Sequence, residues 1–423
     1  MKPVRVNVVI VGGSIAGCTA ALRLSQEGIS SVIIERNPVT DHYKKLCTHF
    51  IQPHALRVVQ DLGIDLLLDA QGVKQTKGAF CTTAGWINPD GPYCDDQSAG
   101  YGYAVERRIL DPVMRKLVCE DPNIRVISGA SYKHFETQEQ KGGHQYVVSF
   151  TDCHGHENQI STKLLVAADG RKSVIAKQLG NHPTETPNDR AVCLAYFEGI
   201  ERPQEQRCLF YFLEKDACFL YPLTGDRTLL SVCIEKERAA KWRNGDTAQA
   251  MMDYFKELPD VPSFDRAKCV SPVYGYKDYP NLMREPLKDG VPFIGDAAQS
   301  LDAMAGVGIG FALVGADLLV TCAAPALRNG SDMAAALDRY ATSFHETFDG
   351  HVQGILADAR IAKNPSSVQK FYRSVIESET LQRQYVAMTG RLISPTEFQK
   401  SYLAHLVASS KKQKATDAVS LVS

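Results

Sequence analysis

The sequence predicts an α/β fold in which a domain built on a parallel sheet contains an inserted antiparallel β-sheet and is followed by a C-terminal helical region. Residues 8–11 form an apolar, β-branched run, which is typical of a parallel strand buried on both faces. Helix-period sequence over 15–27 and a second apolar run over 31–35 complete a βαβ unit. Apolar runs separated by turn residues over 190–234 indicate the antiparallel sheet, and the chain beyond 295 is mainly helical.

The composition excludes some classes of partner. A formal net charge of −1 gives no electrostatic reason to expect nucleic acid or an anionic membrane surface. The 12 cysteines include no CxxC pair and no Cys/His cluster, so we expect no metal site and a reducing, cytoplasmic compartment. The apolar stretch 307–327 carries Asp317 at its middle, and we interpret it as a buried core helix rather than a membrane span.

A glycine-rich turn lies directly between the first predicted strand and the first helix. In such a turn the glycines permit a tight bend, close approach of a pyrophosphate and close helix–strand packing, while the helix N-terminus attracts the anion. Glu35 ends the second strand, where a carboxylate can accept ribose hydroxyls. The turn consists of Gly12, Gly13, Ser14, Ile15, Ala16 and Gly17, with Ser14 at a position where the fingerprint has glycine. This βαβ unit predicts a Rossmann-like dinucleotide-binding domain.

A second glycine turn follows the strand at 291–294. Asp296 in this turn can hydrogen-bond a ribityl hydroxyl, which favours FAD over NAD as the bound dinucleotide. The start of the next helix can offer amides to the flavin pyrimidine edge through Gly306, Val307, Gly308 and Ile309.

Three motifs in order over about residues 6–320 resemble the para-hydroxybenzoate hydroxylase-like FAD-dependent monooxygenases and their geranylgeranyl-reductase-like relatives. They are GGSIAG with Glu35, LLVAADGRKSV at 164–174, and FIGDAA at 293–298 with the GVGIG that follows. The resemblance implies that Arg107 contacts the FAD side and that Asp169 and Gly170 serve FAD and nicotinamide together. Arg36 either contacts a phosphate or is solvated. Ala303 stands where the hydroxylases usually have proline, and Gln299 stands where they commonly have histidine.

The resemblance implies an FAD-binding domain and a substrate-binding domain. We expect the following division: 1–75, 103–180 and 285–330 form the FAD-binding domain; 76–102 and 181–284 form the substrate-binding domain; 331–408 form the C-terminal helical region; and 409–423 form a disordered tail.

The function that follows is an FAD-dependent monooxygenase that hydroxylates or epoxidises an aromatic or polyene small molecule with molecular oxygen, through a flavin C4a-hydroperoxide. Such chemistry needs neither a protein nucleophile nor a metal, and the sequence offers neither. Because no second GxGxxG follows a strand, we expect NADPH or NADH to bind transiently, or a separate flavin reductase to supply electrons. The alternatives are an FAD-dependent reductase or dehydrogenase acting on isoprenoid or ring double bonds, and a flavin-binding protein without turnover.

Substrate and catalytic residues are less well marked in the sequence. Phe210, Phe212, Phe219 and Tyr221 lie at strand spacing and could form a substrate wall, although plain core packing has the greater weight. His49 is a candidate acid or base near the flavin. A surface or capping histidine with no catalytic role is about twice as common.

Overall fold

The computed structural model describes residues 4–420 except 39–41, 92, 94–99, 141–142, 203–206 and 362. The helices are α1 (Ile15–Gln26), α2 (Leu56–Asp61), α3 (Ile64–Ala70), α4 (Arg107–Glu120), α5 (Val174–Gln178), α6 (Lys236–Arg243), α7 (Thr247–Lys256), α8 (Gly308–Asn329), α9 (Met333–Asp358), α10 (Pro365–Ile376), α11 (Glu379–Thr389) and α12 (Pro395–Ser420).

The strands are β1 (Val4–Val11), β2 (Ser31–Glu35), β3 (Phe50–Ile51), β4 (Gln75–Thr76), β5 (Gly78–Thr82), β6 (Gly85–Ile87), β7 (Gly102–Ala104), β8 (Ile124–Ser128), β9 (Ser131–Gln140), β10 (Gly143–Thr151), β11 (Glu157–Ala167), β12 (Thr184–Thr186), β13 (Arg190–Glu198), β14 (Cys208–Phe212), β15 (Ala217–Pro222), β16 (Arg227–Glu235), β17 (Lys268–Cys269), β18 (Tyr274–Tyr276), β19 (Asn281–Met283), β20 (Leu287–Lys288), β21 (Val291–Pro292) and β22 (Gln299–Ser300).

The first sheet confirms the α/β fold class. Its order is β8-β2-β1-β11-β10-β9, and the first four strands are parallel. Val8, Val9 and Ile10 are fully buried, as expected for a strand covered on both faces. The apolar pattern of β11 is interrupted by polar residues at 161–163, yet the strand is continuous. Thr162 lies buried inside it and donates its hydroxyl to Asn7 O at 2.9 Å, so a polar residue that interrupts the apolar pattern does not interrupt the strand.

The second sheet has the order β17-β13-β16-β15-β14-β5-β6, with β18 paired to β13. Its pairing is antiparallel except where β5 lies parallel to β14, with Phe80 opposite Phe210. One face packs against α6 and α7, and the other packs against α10, α11 and α12. The predicted antiparallel middle sheet is therefore present, with one parallel neighbour contributed by an earlier part of the chain.

Three small sheets connect these layers. Their orders are β12-β19-β22, β20-β21 and β3-β7-β4. Strands of two or three residues carry no periodicity, and of these the sequence predicted only β21, within the strand expected at 291–294.

Helix α8 is the predicted core helix. By length and composition alone it could cross a membrane, but 67% of its most apolar window is buried inside the protein. It packs against α1 and α9, and Asp317 at its middle accepts a hydrogen bond from Arg23 Nε at 2.6 Å. These contacts are those of a core helix.

The C-terminal segment differs from the sequence-based expectation. The sequence predicted a disordered tail from residue 409, whereas α12 continues to Ser420. This segment contains three lysines and two alanines, which favour the helix without giving it an apolar stripe. Residues 421–423 lie outside the described chain.

Candidate functional site

A cleft of about 1000 Å³ opens at the carboxyl ends of the parallel strands β1, β2 and β11. This edge is where open α/β sheets bind ligands. All the predicted cofactor residues except Gly17 line the cleft: Gly12, Gly13, Ser14, Ile15, Ala16, Glu35, Arg36, Arg107, Asp169, Gly170, Asp296, Gly306, Val307, Gly308 and Ile309.

The first glycine turn is built by close backbone contacts. Gly12 has φ +109°, and a Cβ there would lie 2.2 Å from Ala168 O. A Cβ on Gly17 would lie 1.9 Å from Gly12 O, so Gly17 permits the packing of α1 on β1 rather than facing the cleft. No acidic residue lies in the first turn of α1, and Ser14 makes no side-chain cap to it. The N-terminal amides of α1 could therefore hold a pyrophosphate.

Glu35 lies at the end of β2 against this turn. Its Oε2 accepts the Gly13 N–H at 2.6 Å, and its Oε1 accepts the Asn37 N–H at 2.8 Å. The two contacts fix the carboxylate at the cleft wall, where it could also accept ribose hydroxyls.

A charged network crosses the middle of the cleft. Arg107 pairs with Asp111 at 2.5 Å and donates to Ser14 Oγ at 3.1 Å. The Lys44 backbone N–H donates to Asp111 at 3.0 Å, while Lys44 Nζ pairs with Asp296 at 2.9 Å. Burial raises the pKa of Asp296, but the Lys44 ammonium, together with Arg107 and Arg171, outweighs burial and holds that pKa below its usual range. The ion pair ties the segment before β3 to the second glycine turn.

The second glycine turn continues from Asp296 to the start of α8, and near its end the Asp302 carboxylate accepts the Met304 N–H at 3.1 Å. Gly306 has φ +61°, and a Cβ on Gly308 would meet nothing within 4 Å. The start of α8 is therefore open toward the cleft and free of side-chain caps. The cleft is extended, and the uncapped starts of α1 and α8 both face it, an arrangement that fits FAD. The start of α8 could hold the flavin ring.

Asp169 and Gly170 follow β11. Asp169 Oδ2 accepts the N–H groups of Val174 and Ile175 at 2.7 and 3.2 Å, so it holds the start of α5. Burial raises the pKa of Asp169. Gly170 has φ +80° with open space around it.

His49 does not line the cleft. It is 1% exposed, has φ 59°, and lies between the start of α4 and Tyr196 of β13. Its Nδ1 accepts the Arg107 N–H at 3.2 Å, so the ring proton is on Nε2, 2.5 Å from the Tyr196 hydroxyl. Burial lowers the pKa of His49 to about 3. A neutral histidine held in this way positions the start of α4, and with it Arg107.

The aromatic stripe also lies away from the cleft. Phe210, Phe219 and Tyr221 are at most 7% exposed and pack with Phe212 between the second sheet and the C-terminal helices. Phe50 reaches both this aromatic cluster, with its ring centre 5.6 Å from that of Phe210, and the cleft wall.

Three cleft residues, Arg171, Tyr279 and Asp302, have no role assigned from the sequence. Arg171 lies 4.0 Å over the Tyr279 ring and donates to Pro280 O at 2.6 Å. Asp302 is buried, and burial raises its pKa. Within the described residues no cluster of histidine, cysteine or acidic side chains could hold a metal ion.

Comparisons with known proteins agree with this geometry. A family model described as FAD binding domain matches residues 5–353. Digeranylgeranylglycerophospholipid reductase 2 of Methanococcoides burtonii is 24% identical over 361 residues, covering 83% of this chain and 82% of the relative. Para-nitrophenol 4-monooxygenase of Pseudomonas sp. strain WBC-3 is 22% identical over 354 residues, covering 81% and 83%.

The fold is shared with a solved structure. The crystal structure of p-nitrophenol 4-monooxygenase PnpA from Pseudomonas putida DLL-E4 matches with a TM-score of 0.71 at 15% identity, over 93% of this chain and 99% of that chain. Because the family model spans most of the sequence and the cleft fits the cofactor, this chain belongs to the FAD-binding-domain family and is an FAD-dependent oxidoreductase.

Proposed function

We propose that this protein is an FAD-dependent monooxygenase that hydroxylates or epoxidises an aromatic or polyene small molecule. The observation that carries the proposal is the similarity to para-nitrophenol 4-monooxygenase over 81% of the chain, together with the shared fold of PnpA. FAD, when reduced, supplies the oxygen-activating chemistry. One oxygen atom of O₂ enters the product, the other leaves as water, and NADPH or NADH supplies the two electrons, directly or through a flavin reductase.

The proposed work of the chain's own residues is to bind and orient FAD. The N-terminal amides of α1 hold the pyrophosphate, Glu35 accepts the adenosine ribose hydroxyls, and Arg107 stabilises the phosphate side. Asp296 accepts a ribityl hydroxyl, and the Gly306–Ile309 amides hold the pyrimidine edge. Arg36, Asp169 and Gly170 also line the cleft, and we assign them to FAD binding as well. We propose a cytoplasmic enzyme of secondary metabolism.

A second candidate is a reductase of isoprenoid double bonds. The similarity to digeranylgeranylglycerophospholipid reductase 2 supports it over 83% of the chain. Adding two hydrogens to an alkene requires a proton as well as a hydride, and Asp302 is a buried cleft carboxyl whose pKa is raised by burial. Ala303 and Gln299, which depart from the hydroxylase pattern, favour the same candidate.

The test is aerobic turnover of the FAD-loaded enzyme under ¹⁸O₂ with NADPH or NADH. The probes are 4-nitrophenol, as a phenol, and geranylgeraniol, as a polyene. The proposal predicts a product that contains one ¹⁸O atom. A product that gains two hydrogens and no oxygen contradicts it and favours the reductase.

A further inference from the structure

The cleft is lined by apolar side chains from two different cores. Most of them belong to the core around the parallel sheet, on the side where FAD is proposed to bind. Leu46, Phe50 and Ala303 also line the cleft, but they pack with the aromatic cluster of the larger antiparallel sheet. At these three residues the cofactor cleft therefore meets the second core.

Phe50 lies at the end of the cleft that contains the start of α8. Its strand β3 packs against α8, and a Cβ on Gly306 would lie 3.4 Å from Nε2 of Gln52, a near neighbour of Phe50 in the sequence. Ala303 belongs to the turn that leads to the same helix start. Because the flavin ring is proposed to bind at the start of α8, these apolar side chains line the space beside the reacting part of the cofactor.

Phe50 separates this end of the cleft from the aromatic stripe. It is 2% exposed, so only a small part of its surface faces the cleft. On its other side the ring centres of Phe210 and Tyr221 each lie 5.6 Å away, with Phe210 edge-on. Gly102 in β7 leaves room for the ring, since a Cβ there would lie 3.1 Å from Phe50 Cε1. The ring is thus packed in place between the cleft and the side chains that the sequence suggested as a substrate wall.

The space for a substrate beside the flavin site is small. The cleft of about 1000 Å³ has to hold FAD, which is larger than the drug-sized ligands that occupy pockets of about 300–1000 Å³. Phe210 and Tyr221 are at most 7% exposed, so the region beyond Phe50 is filled by side chains. A substrate at this end therefore has room for a compact body, and it meets the Phe50 ring as it extends toward the antiparallel sheet.

We propose that Phe50 sets the size of the substrate. The apolar body of the substrate packs against Leu46, Phe50 and Ala303, and the Phe50 ring limits how far that body extends toward the antiparallel sheet. The inference rests on the proposed function and narrows its substrate to a compact arene, such as a substituted phenol. Of the two substrate classes in that proposal, it favours the arene over a long polyene.

The test is equilibrium binding of a series of phenols to the oxidised, FAD-loaded protein, with no reductant present. The probes 4-methylphenol, 4-propylphenol and 4-hexylphenol share the ring and differ only in chain length. Flavin absorbance and calorimetry measure their binding. Each methylene that becomes buried should tighten binding about fourfold. We expect wild type to bind the propyl probe more tightly than the methyl probe, and the hexyl probe no more tightly than the propyl probe, because Phe50 stops the longer chain.

Variants show whether the Phe50 ring is the limit. Phe50→Ala should connect the cleft to Phe210 and Tyr221 and raise the ratio of hexyl to methyl affinity by roughly tenfold or more. Phe50→Leu removes less of the side chain and should raise the ratio less, and it decides if Phe50→Ala does not retain FAD. Phe80→Ala is the matched control, since Phe80 stacks on Phe210 with ring centres 4.9 Å apart but does not line the cleft. Its ratio should match that of wild type.

Three outcomes overturn the proposal. They are an unchanged hexyl-to-methyl ratio in the Phe50 variants, an equal rise of that ratio in Phe80→Ala, and no binding of any of the phenols. Because the flavin stays oxidised, these results are independent of whether the enzyme transfers oxygen. A protein that fails here and still incorporates ¹⁸O into geranylgeraniol would have the proposed function without this limit on its substrate.

Discussion

At the scale of single residues, the first glycine turn makes the sharpest prediction. Gly12→Ala places a Cβ 2.2 Å from Ala168 O in a backbone with φ +109°, so β1, α1 and β11 cannot keep their spacing. We expect a protein that purifies without FAD, measured by flavin absorbance per chain.

The matched control is Gly28→Ala, which also has positive φ but meets nothing within 4 Å. It should bind FAD normally and lose about 1–2 kcal/mol, the cost of a left-handed alanine. Equal FAD content in the two variants would contradict the proposed role of Gly12.

His49 gives a prediction for the dependence of stability on pH. Its pKa is lowered to about 3 in the folded protein, whereas an unfolded histidine has a pKa of about 6.5. Between these values the unfolded chain binds a proton that the folded chain does not, so the stability from this group is complete above pH 6.5 and falls as the pH is lowered. The loss is at most about 1.4 kcal/mol per pH unit.

Urea unfolding of wild type and His49→Asn at pH 7 and pH 5 measures this loss. His49→Asn should be less stable at pH 7, because it weakens the contacts to Arg107 and Tyr196, and its stability should fall less on acidification. The exposed His182, as His182→Asn, is the control. Parallel pH slopes for all three proteins would show that His49 is not held neutral.

The sequence predicted cofactor residues by spacing and missed those set by tertiary contact. Glycine turns can be recognised in a sequence because only glycine fits a backbone such as that of Gly12. The Lys44–Asp296 ion pair joins residues 252 positions apart, and no local pattern connects them. The aromatic stripe shows the reverse: strand spacing predicted which rings share a face, but not that helices would cover that face.

At the scale of elements, the Arg23–Asp317 pair connects the two helices whose N-termini form the site. Both side chains are about three-quarters buried, at 23% and 27% exposed. Asp317→Ala should lower the free energy of unfolding by about 1–2 kcal/mol, since it removes a charge-assisted hydrogen bond that is only partly screened by solvent. Urea unfolding at pH 7 is the measurement.

The exposed Arg328–Glu27 pair joins the same helices and is the control. Arg328→Gln should change stability by less than about 0.5 kcal/mol. If Arg328→Gln lowers the free energy of unfolding more than Asp317→Ala does, burial does not determine which of these two ion pairs stabilises the protein more.

Element boundaries followed the sequence where the pattern was long and local. β2 has the bounds 31–35 that its apolar run indicates. The strands that the sequence missed, such as β3 and β22, are two residues long and exist only because a neighbour supplies hydrogen bonds. The polar C-terminal segment differs because helix propensity can continue a helix without an apolar face.

At the scale of the whole molecule, we propose the same division that the sequence suggests. The FAD-binding domain carries the parallel sheet and the substrate-binding domain carries the larger antiparallel sheet, while the C-terminal helical region covers the aromatic face of that sheet. His49, directly before β3, contacts Tyr196 of β13 in the antiparallel sheet at one buried contact. The order of motifs predicted the cofactor, whereas it left the identity of the substrate open.

The measurement that tests the central claim most directly is a single turnover. The FAD-loaded enzyme is reduced anaerobically with dithionite, freed of excess reductant, and mixed with 4-nitrophenol or geranylgeraniol, first without oxygen and then with it. The monooxygenase account predicts no product until oxygen is admitted, and then an oxygenated product in amounts up to the flavin present. A hydrogenated product formed before oxygen is admitted, at the expense of the reduced flavin, would contradict that account.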